Sequence, residues 1–188
     1  SLYGPNIAKN LVDREYSKAL AKKANHRGRR LNSKGNCLRA VRFNLWNVLT
    51  KLKNKSEFLD LNQVSCDEGN HPYKYRAGKS AEHFRRWATE NPISLYQELS
   101  LADISHIPGL EIEEGFIFVY KNGQYGFHKN YGHIEVVTKT APLTVCSDHC
   151  RVIRKYRKPD LVLAPIRNIA NLYTFDGNSK LSSTERSI

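Results

Sequence analysis

The spacing of apolar residues changes near residue 100, and this change limits the possible folds more than any other feature of the sequence. Before it, apolar side chains recur at helical intervals, most clearly along residues 38–52. After it, short apolar runs separated by turn residues such as Asn122-Gly123 are typical of strands. Helices followed by strands predict an α+β fold, with N-terminal helices packed against an antiparallel sheet of about five strands.

These patterns predict the position of each helix and strand. The predicted helices cover residues 6–25, from Cys37 to about 52, 80–90 and 93–100. The predicted strands cover residues 115–120, 132–138, 143–146, 151–156 and 161–165. Ser80 is the expected N-cap of the third helix, and Asn91-Pro92 is expected to end it. Residues 54–78 have the composition of a loop.

Length and composition narrow the class of protein. The chain has 188 residues, of which 40% are hydrophobic and 10% aromatic. These values favour one folded domain over an intrinsically disordered chain. The longest apolar runs, such as residues 116–120, are far too short to cross a bilayer, and the patterning also excludes a coiled coil or a fibre. The chain opens without a signal-peptide pattern, so we expect a processed or trimmed form.

Positive charge is concentrated in the N-terminal third of the chain. Residues 1–55 contain 14 Lys and Arg against two acidic residues, whereas the remaining residues are balanced in charge. Such a region favours contact with a polyanion, for example nucleic acid, an anionic lipid surface or an anionic cell-wall polymer. The alternative is a solvated helix surface that keeps the protein soluble.

Cys37 is the candidate nucleophile because it stands at the start of the second predicted helix. The positive end of a helix dipole and the nearby Lys34, Arg39 and Arg42 favour the thiolate, which is the nucleophilic form of cysteine. An inert cysteine that packs at the end of the helix is the alternative.

His133 is the candidate partner of this sulfur. It opens a predicted strand directly after Gly132, where an imidazole can project from a sheet edge toward a helix terminus. A thiolate–imidazolium pair needs a third group that orients the ring. Asp148, at the end of the next predicted strand, is the candidate for that role, and a solvated turn aspartate is the alternative.

Four short motifs follow one another along the chain. They are Gly35-Asn36-Cys37-Leu38 at the candidate nucleophile, Gly78-Lys79-Ser80-Ala81 followed by Trp87, Glu113-Glu114-Gly115-Phe116-Ile117-Phe118-Val119-Tyr120 after Ile107-Pro108-Gly109, and Gly132-His133-Ile134-Glu135-Val136-Val137. These motifs resemble those of the CHAP family of cysteine, histidine-dependent amidohydrolases and peptidases, and of its NlpC-type relatives. Their order and spacing match the family over roughly residues 33–155.

The resemblance implies a papain-like core and a peptidoglycan hydrolase. The enzyme would cut an amide bond, either within a stem peptide or at the N-acetylmuramoyl-L-alanine link. Cys37 would attack the carbonyl, His133 would pass the thiol proton to the leaving amine, and Asp148 would hold the imidazole. Chemistry of this kind requires no metal and no cofactor.

The resemblance also suggests domain boundaries, partners and location. Residues 1–30 would form a basic helical extension, residues 31–175 the catalytic domain and residues 176–188 a flexible tail. Peptidoglycan would be the substrate, and the basic third would hold the enzyme on an anionic cell-wall or outer-membrane polymer. The protein would then be secreted or periplasmic, as a phage lysin, a wall-remodelling enzyme or an antibacterial toxin.

The sequence departs from the family pattern at two places. The Gly-Asp that usually precedes the first strand is replaced by Gly115-Phe116. The third polar residue of the site is either Asp148 or the adjacent His149, and the motifs do not decide between them.

The cysteines leave three arrangements open. The chain contains Cys37, Cys66, Cys146 and Cys150. If Cys37 is free, a disulfide between Cys146 and Cys150 would stiffen the loop around Asp148. A zinc site formed by Cys146, His149 and Cys150 is an alternative, although this spacing is unusual for zinc ligands. Buried, unpaired cysteines are the third arrangement.

Two other classes of function remain open. The basic N-terminal third with its interleaved aromatic residues Tyr3, Tyr16, Phe43 and Trp46 is compatible with a non-catalytic nucleic-acid-binding module. A papain-like enzyme that acts on protein substrates would share the fold and the site but differ in its loops.

Overall fold

The computed structural model describes residues 11–28, 35–52 and 80–167. Within these ranges the chain forms four α-helices and one six-stranded antiparallel sheet, which confirms the predicted α+β class. The helices are α1 (Arg14–Gly28), α2 (Cys37–Leu52), α3 (Ala81–Glu90) and α4 (Pro92–Leu99). The strands are β1 (Leu101–Asp103), β2 (Ile117–Tyr120), β3 (His133–Thr140), β4 (Leu143–Cys146), β5 (Cys150–Val152) and β6 (Leu161–Pro165). No helix in these ranges is long and apolar enough to span a membrane.

The sheet separates two hydrophobic clusters. Its strand order is β1-β6-β2-β3-β4-β5, and every neighbouring pair is antiparallel. In the central strand β2, Ile117 and Val119 join the cluster that contains the helices, whereas Phe118 and Tyr120 join a cluster on the other face. Because side chains of a strand alternate between faces, one apolar run covers both sides of the sheet.

Helix α1 begins at Arg14, later than the predicted start at residue 6. Before it, Val12 forms an isolated antiparallel bridge with Ile166, which interrupts the predicted helix. The Asp13 carboxylate then accepts a hydrogen bond from the backbone N–H of Tyr16 at 3.1 Å, which caps the first turn. The remaining predicted helical residues, 6–10, lie outside the described residues.

Helix α1 packs into the main core. Its residues Tyr16, Leu20 and Ala24 belong to the same buried cluster as α2 and β3, and the Tyr16 hydroxyl donates to the carbonyl of Leu99 at 2.8 Å. The described part of the predicted basic extension, residues 11–28, is therefore continuous with the core of the predicted catalytic domain.

The remaining helices and most strands follow the prediction. Ser80 caps α3, and Asn91 ends it before Pro92. Strand β1 is absent from the prediction, because three residues directly after a helix carry too little periodicity to be recognised. The strand predicted over 151–156 is wrong in its length, since β5 ends at Val152. The predicted loop 54–78 and tail 176–188 lie outside the described residues.

A buried carboxylate on α3 anchors the loop between β2 and β3. Glu82 is 3% exposed and receives hydrogen bonds from the side chains of Arg85 and Arg86 and from the backbone N–H of Asn122. The hydrogen bonds from Arg85, opposed by burial and supported by Asn122, lower the pKa of Glu82 to about 2. This network fixes the beginning of the loop that leads to His133.

Replacing Glu82 by Gln is expected to destabilise the protein by about 2–3 kcal/mol at pH 7, because Arg85 loses its buried ionic partner. The pKa of Glu82 is lower in the folded state, so its contribution is complete above pH 4.5 and is lost as the pH falls toward about 2. Urea unfolding of the wild type and of Glu82→Gln from pH 7 to pH 2.5 measures this contribution. The difference in the free energy of unfolding between the two proteins should become smaller as the pH falls.

The control is Glu90→Gln, which changes an exposed carboxylate at the end of the same helix. A pH-independent difference for Glu82→Gln, or an equal effect of Glu90→Gln, would contradict this role of Glu82.

Candidate active site

Cys37 is the first residue of α2, and the turn before it is held by two backbone contacts. The carbonyl of Asn36 accepts from the N–H of Ala40 at 3.0 Å, which begins the helix. The N–H of Asn36 donates to Oδ2 of Asp148 at 3.1 Å. Gly35 has a φ of +72°, a conformation that glycine adopts without strain. The thiol of Cys37 is free and half-buried.

His133 is the first residue of β3, and the glycine before it sets its position. Gly132 has a φ of +62°, and a Cβ there would lie 2.5 Å from the carbonyl oxygen of Tyr120. Only glycine allows this close approach, which brings His133 into register opposite Tyr120. The aromatic ring of Phe127 stacks on the imidazole with a centroid distance of 4.5 Å and an angle of 9°.

The imidazole of His133 contacts both a thiol and a carboxylate. It is hydrogen-bonded to Cys37, and its Nε2 lies 2.9 Å from Oε2 of Glu135. Burial lowers the pKa of His133, but the hydrogen bonds to Cys37 and Glu135 and the charges of these groups outweigh it and raise the pKa to about 9. These contacts favour the protonated form of the ring, next to the sulfur.

Glu135 is a residue of this site that the sequence prediction does not include. Its side chain is 1% exposed and is held by Arg151 through two hydrogen bonds, of 3.1 Å from Nε and 2.7 Å from Nη2. His133 and Glu135 are two residues apart on β3, so their side chains share one face of the strand. The His-x-Glu spacing was the available signal, but it does not show that an arginine from β5 meets the carboxylate.

Asp148 lies near Cys37, and a hydrogen bond connects it to Asn36 in the turn before Cys37. Oδ2 accepts from Asn36, and Oδ1 is 3.2 Å from Oγ of Ser147 and 3.3 Å from Nδ1 of His149. The structure thus brings Cys37 and His133 together, with Glu135 at Nε2 of the ring. Asp148, predicted to orient the ring, holds the residue before Cys37.

The loop that carries Asp148 is closed by a disulfide. Cys146 and Cys150 are bonded, with their Cα atoms 4.0 Å apart. Because both sulfurs are used in this bond, Cys146 and Cys150 are not thiolate ligands, and the alternative zinc site is wrong. The end of α1 packs directly on the bridge, since a Cβ at Gly28 would lie 2.5 Å from Sγ of Cys150. Cys66 lies outside the described residues.

Comparisons with models of protein families, with curated proteins and with solved structures found no match to this chain. A half-buried thiol at a helix start, hydrogen-bonded to an imidazole that a buried carboxylate holds, is the arrangement that activates a cysteine for attack on a carbonyl carbon.

We expect Glu135→Gln to lower the pKa of His133 by one unit or more, because the change removes the negative charge at Nε2. Asp148→Asn should lower it less, since Asp148 accepts a hydrogen bond from the turn before Cys37 and contacts its neighbours Ser147 and His149. Titration of the His133 ring by NMR in the wild type and both variants measures the shifts. An equal or larger shift in Asp148→Asn would make Asp148 the group that orients the ring.

The same titration has a consequence for stability. The pKa of His133 is higher in the folded state, so its contribution to stability is complete below about pH 6.5 and is lost as the pH rises through about 9. The free energy of unfolding should therefore fall less between pH 6 and pH 10 in Glu135→Gln than in the wild type. Urea unfolding of both proteins at the two pH values measures this difference.

Proposed function

We propose that the protein is a papain-like cysteine amidase or endopeptidase that cleaves an amide bond of peptidoglycan. The observation that carries the proposal is the hydrogen-bonded pair of Cys37 and His133, with the ring held by Glu135. An imidazolium that keeps its proton at neutral pH stabilises negative charge on the adjacent sulfur, which is the reactive form of a cysteine nucleophile.

The proposed reaction uses each of these groups in turn. The sulfur of Cys37 attacks the amide carbonyl, and His133 gives its proton to the leaving amine as the C–N bond breaks and a thioester remains. Water then attacks the thioester, His133 accepts a proton from that water, and the carboxylic acid product leaves with Cys37 regenerated. Backbone N–H groups at the start of α2 would stabilise the oxyanion of both tetrahedral intermediates.

Glu135 and Asp148 act as positioning residues in this scheme. Glu135 orients the imidazole and favours its protonated form, while its own charge is compensated by Arg151. Asp148 holds the N–H of Asn36 and thereby the turn that presents Cys37. The two carboxylates thus support the two partners of the reactive pair separately.

The order of elements supports a papain-like core of the CHAP and NlpC type. A cysteine at the start of a helix and a histidine at the start of a strand, in an antiparallel sheet covered by that helix, correspond to the roles implied by the sequence motifs. The substrate class rests on these motifs, and the basic residues 1–55 suit an anionic wall or outer-membrane polymer. An enzyme with this substrate would act outside the cytoplasm.

The nucleic-acid alternative receives little support from the described aromatic residues. Tyr16 is 1% exposed, Trp46 packs against the main core, and Phe43 is covered by the guanidinium of Arg27 at 3.7 Å. Side chains that are engaged in this way do not offer the free faces on which bases stack. A papain-like enzyme for protein substrates would use the same reactive pair.

Digestion of purified peptidoglycan sacculi tests the proposal. The wild type should release defined fragments, whereas Cys37→Ala and His133→Ala should reduce the rate by about 10³-fold or more, since each removes one partner of the pair. Mass spectrometry of the fragments would identify the cleaved bond. His106→Ala is the matched control, because it removes an exposed histidine after β1.

A folded wild type that releases no fragment from sacculi of several wall chemistries would overturn the substrate class. Unchanged cleavage by folded Cys37→Ala would overturn the nucleophile. Hydrolysis of protein substrates in place of sacculi would favour the papain-like alternative.

A further inference from the structure

A cavity of about 260 Å³ opens beside the reactive pair, and basic and aromatic residues line it. The loop before β3 (residues 121–132) contributes Tyr125 and Phe127. The segment between β5 and β6 (residues 153–160) contributes Arg154, Lys155 and Arg157, which are called the cavity cations below. None of the residues found to line it in the described part of the chain is acidic.

The cavity shares a wall with the reactive site. Phe127 lines it and also stacks on the imidazole of His133 at 4.5 Å. Arg151 lines it as well and holds Glu135, the carboxylate at Nε2 of the same ring. A group bound in the cavity would therefore be separated from the His133 ring by the side chain of Phe127.

The cavity cations carry charge that the described residues do not neutralise. All three are exposed, and none of them forms an ion pair with a residue in the ranges that the structure covers. Arg151, in contrast, is paired with Glu135. Three uncompensated cations around one concavity produce a local positive potential that attracts an anion.

The wall of the cavity is built before any ligand arrives. Tyr125 has a φ of +52°, an uncommon conformation for a residue with a side chain. Its hydroxyl donates to the carbonyl of Lys158 at 3.1 Å, and the guanidinium of Arg157 lies 5.4 Å from the centre of its ring. These contacts tie the two loops together across the cavity, which limits the ordering that a ligand would require.

We propose that this cavity is a substrate subsite that binds a free carboxylate on an amino acid next to the scissile amide. This inference rests on the proposed amidase function and specifies its substrate class. A volume of about 260 Å³ accommodates a group of the size of an amino acid, and arginine binds a carboxylate through paired hydrogen bonds. Tyr125 and Phe127 would cover the aliphatic part of the same residue.

The binding experiment uses Cys37→Ala, which cannot consume its ligand. Calorimetry measures its affinity for two synthetic stem-type peptides. The peptides are identical except at one residue, where one peptide has a free carboxylate and the other has a carboxamide. The acid should bind at least about tenfold more tightly, because a charge-assisted hydrogen bond to arginine is lost in the amide. Adding Arg154→Gln and Arg157→Gln should abolish this preference.

The matched control is Lys139→Gln, which removes one positive charge from an exposed residue about 20 Å along β3 from His133. It should keep the preference for the acid. Because Arg157 also supports Tyr125, Arg154→Gln is measured alone as well, and it should weaken binding of the acid while leaving the thermal midpoint of unfolding unchanged.

The possible outcomes distinguish a failure of the proposed subsite from a failure of the proposed amidase function. Wild-type cleavage of acid and amide peptides with equal kcat/KM, unchanged in the arginine variants, would overturn the subsite and leave the amidase intact. Arginine-dependent binding of the acid without any cleavage would support the subsite and overturn the amidase. Tighter arginine-dependent binding of a single-stranded oligonucleotide would overturn the carboxylate in favour of nucleic acid.

Discussion

The buried carboxylate of Glu135 is the group on which the arrangement of this site depends. A charge with 1% exposure is tolerated only where partners compensate it, and Glu135 has two, Arg151 and His133. Arg151 pairs with Val145 in β4, which pairs with Val137 in β3, so its side chain crosses one strand to reach the carboxylate. The contact between Arg151 and Glu135 therefore joins β3 and β5 across β4, and Glu135 in turn holds the imidazole.

Cys37 is placed by a second, independent set of contacts. Asp148 holds the turn before Cys37, and the disulfide between Cys146 and Cys150 closes the loop that carries Asp148. The end of α1 packs on this disulfide at Gly28. Because α1 also belongs to the main core, the position of the thiol relative to β3 is determined by the packing of helices on the sheet. The two halves of the reactive pair thus reach each other through separate supports.

Charge is distributed differently in three dimensions than along the chain. The sequence is neutral beyond residue 55, yet the cavity cations form a positive region beside His133. This occurs because acidic residues of the same part of the chain, such as Glu82 and Glu135, are buried against their own arginines. Their negative charge is neutralised by these arginines and does not compensate the cations of the β5–β6 segment. The electrostatic potential at the cavity is therefore set by burial and ion pairing.

The sequence by itself determined the α+β class, helix α2 with Cys37 at its start, helix α3 with its Ser80 cap, and β3 with His133 at its start. These features follow from apolar periodicity and from cap and turn residues, which are local and readable in one chain. Tertiary structure alone decided that Glu135 holds the imidazole and that Asp148 holds the turn before Cys37. Both depend on which strand lies beside β3 and on how the β4–β5 loop meets α2. The physical reason is that register, burial and charge compensation are properties of contacts between distant segments, and no local pattern specifies them.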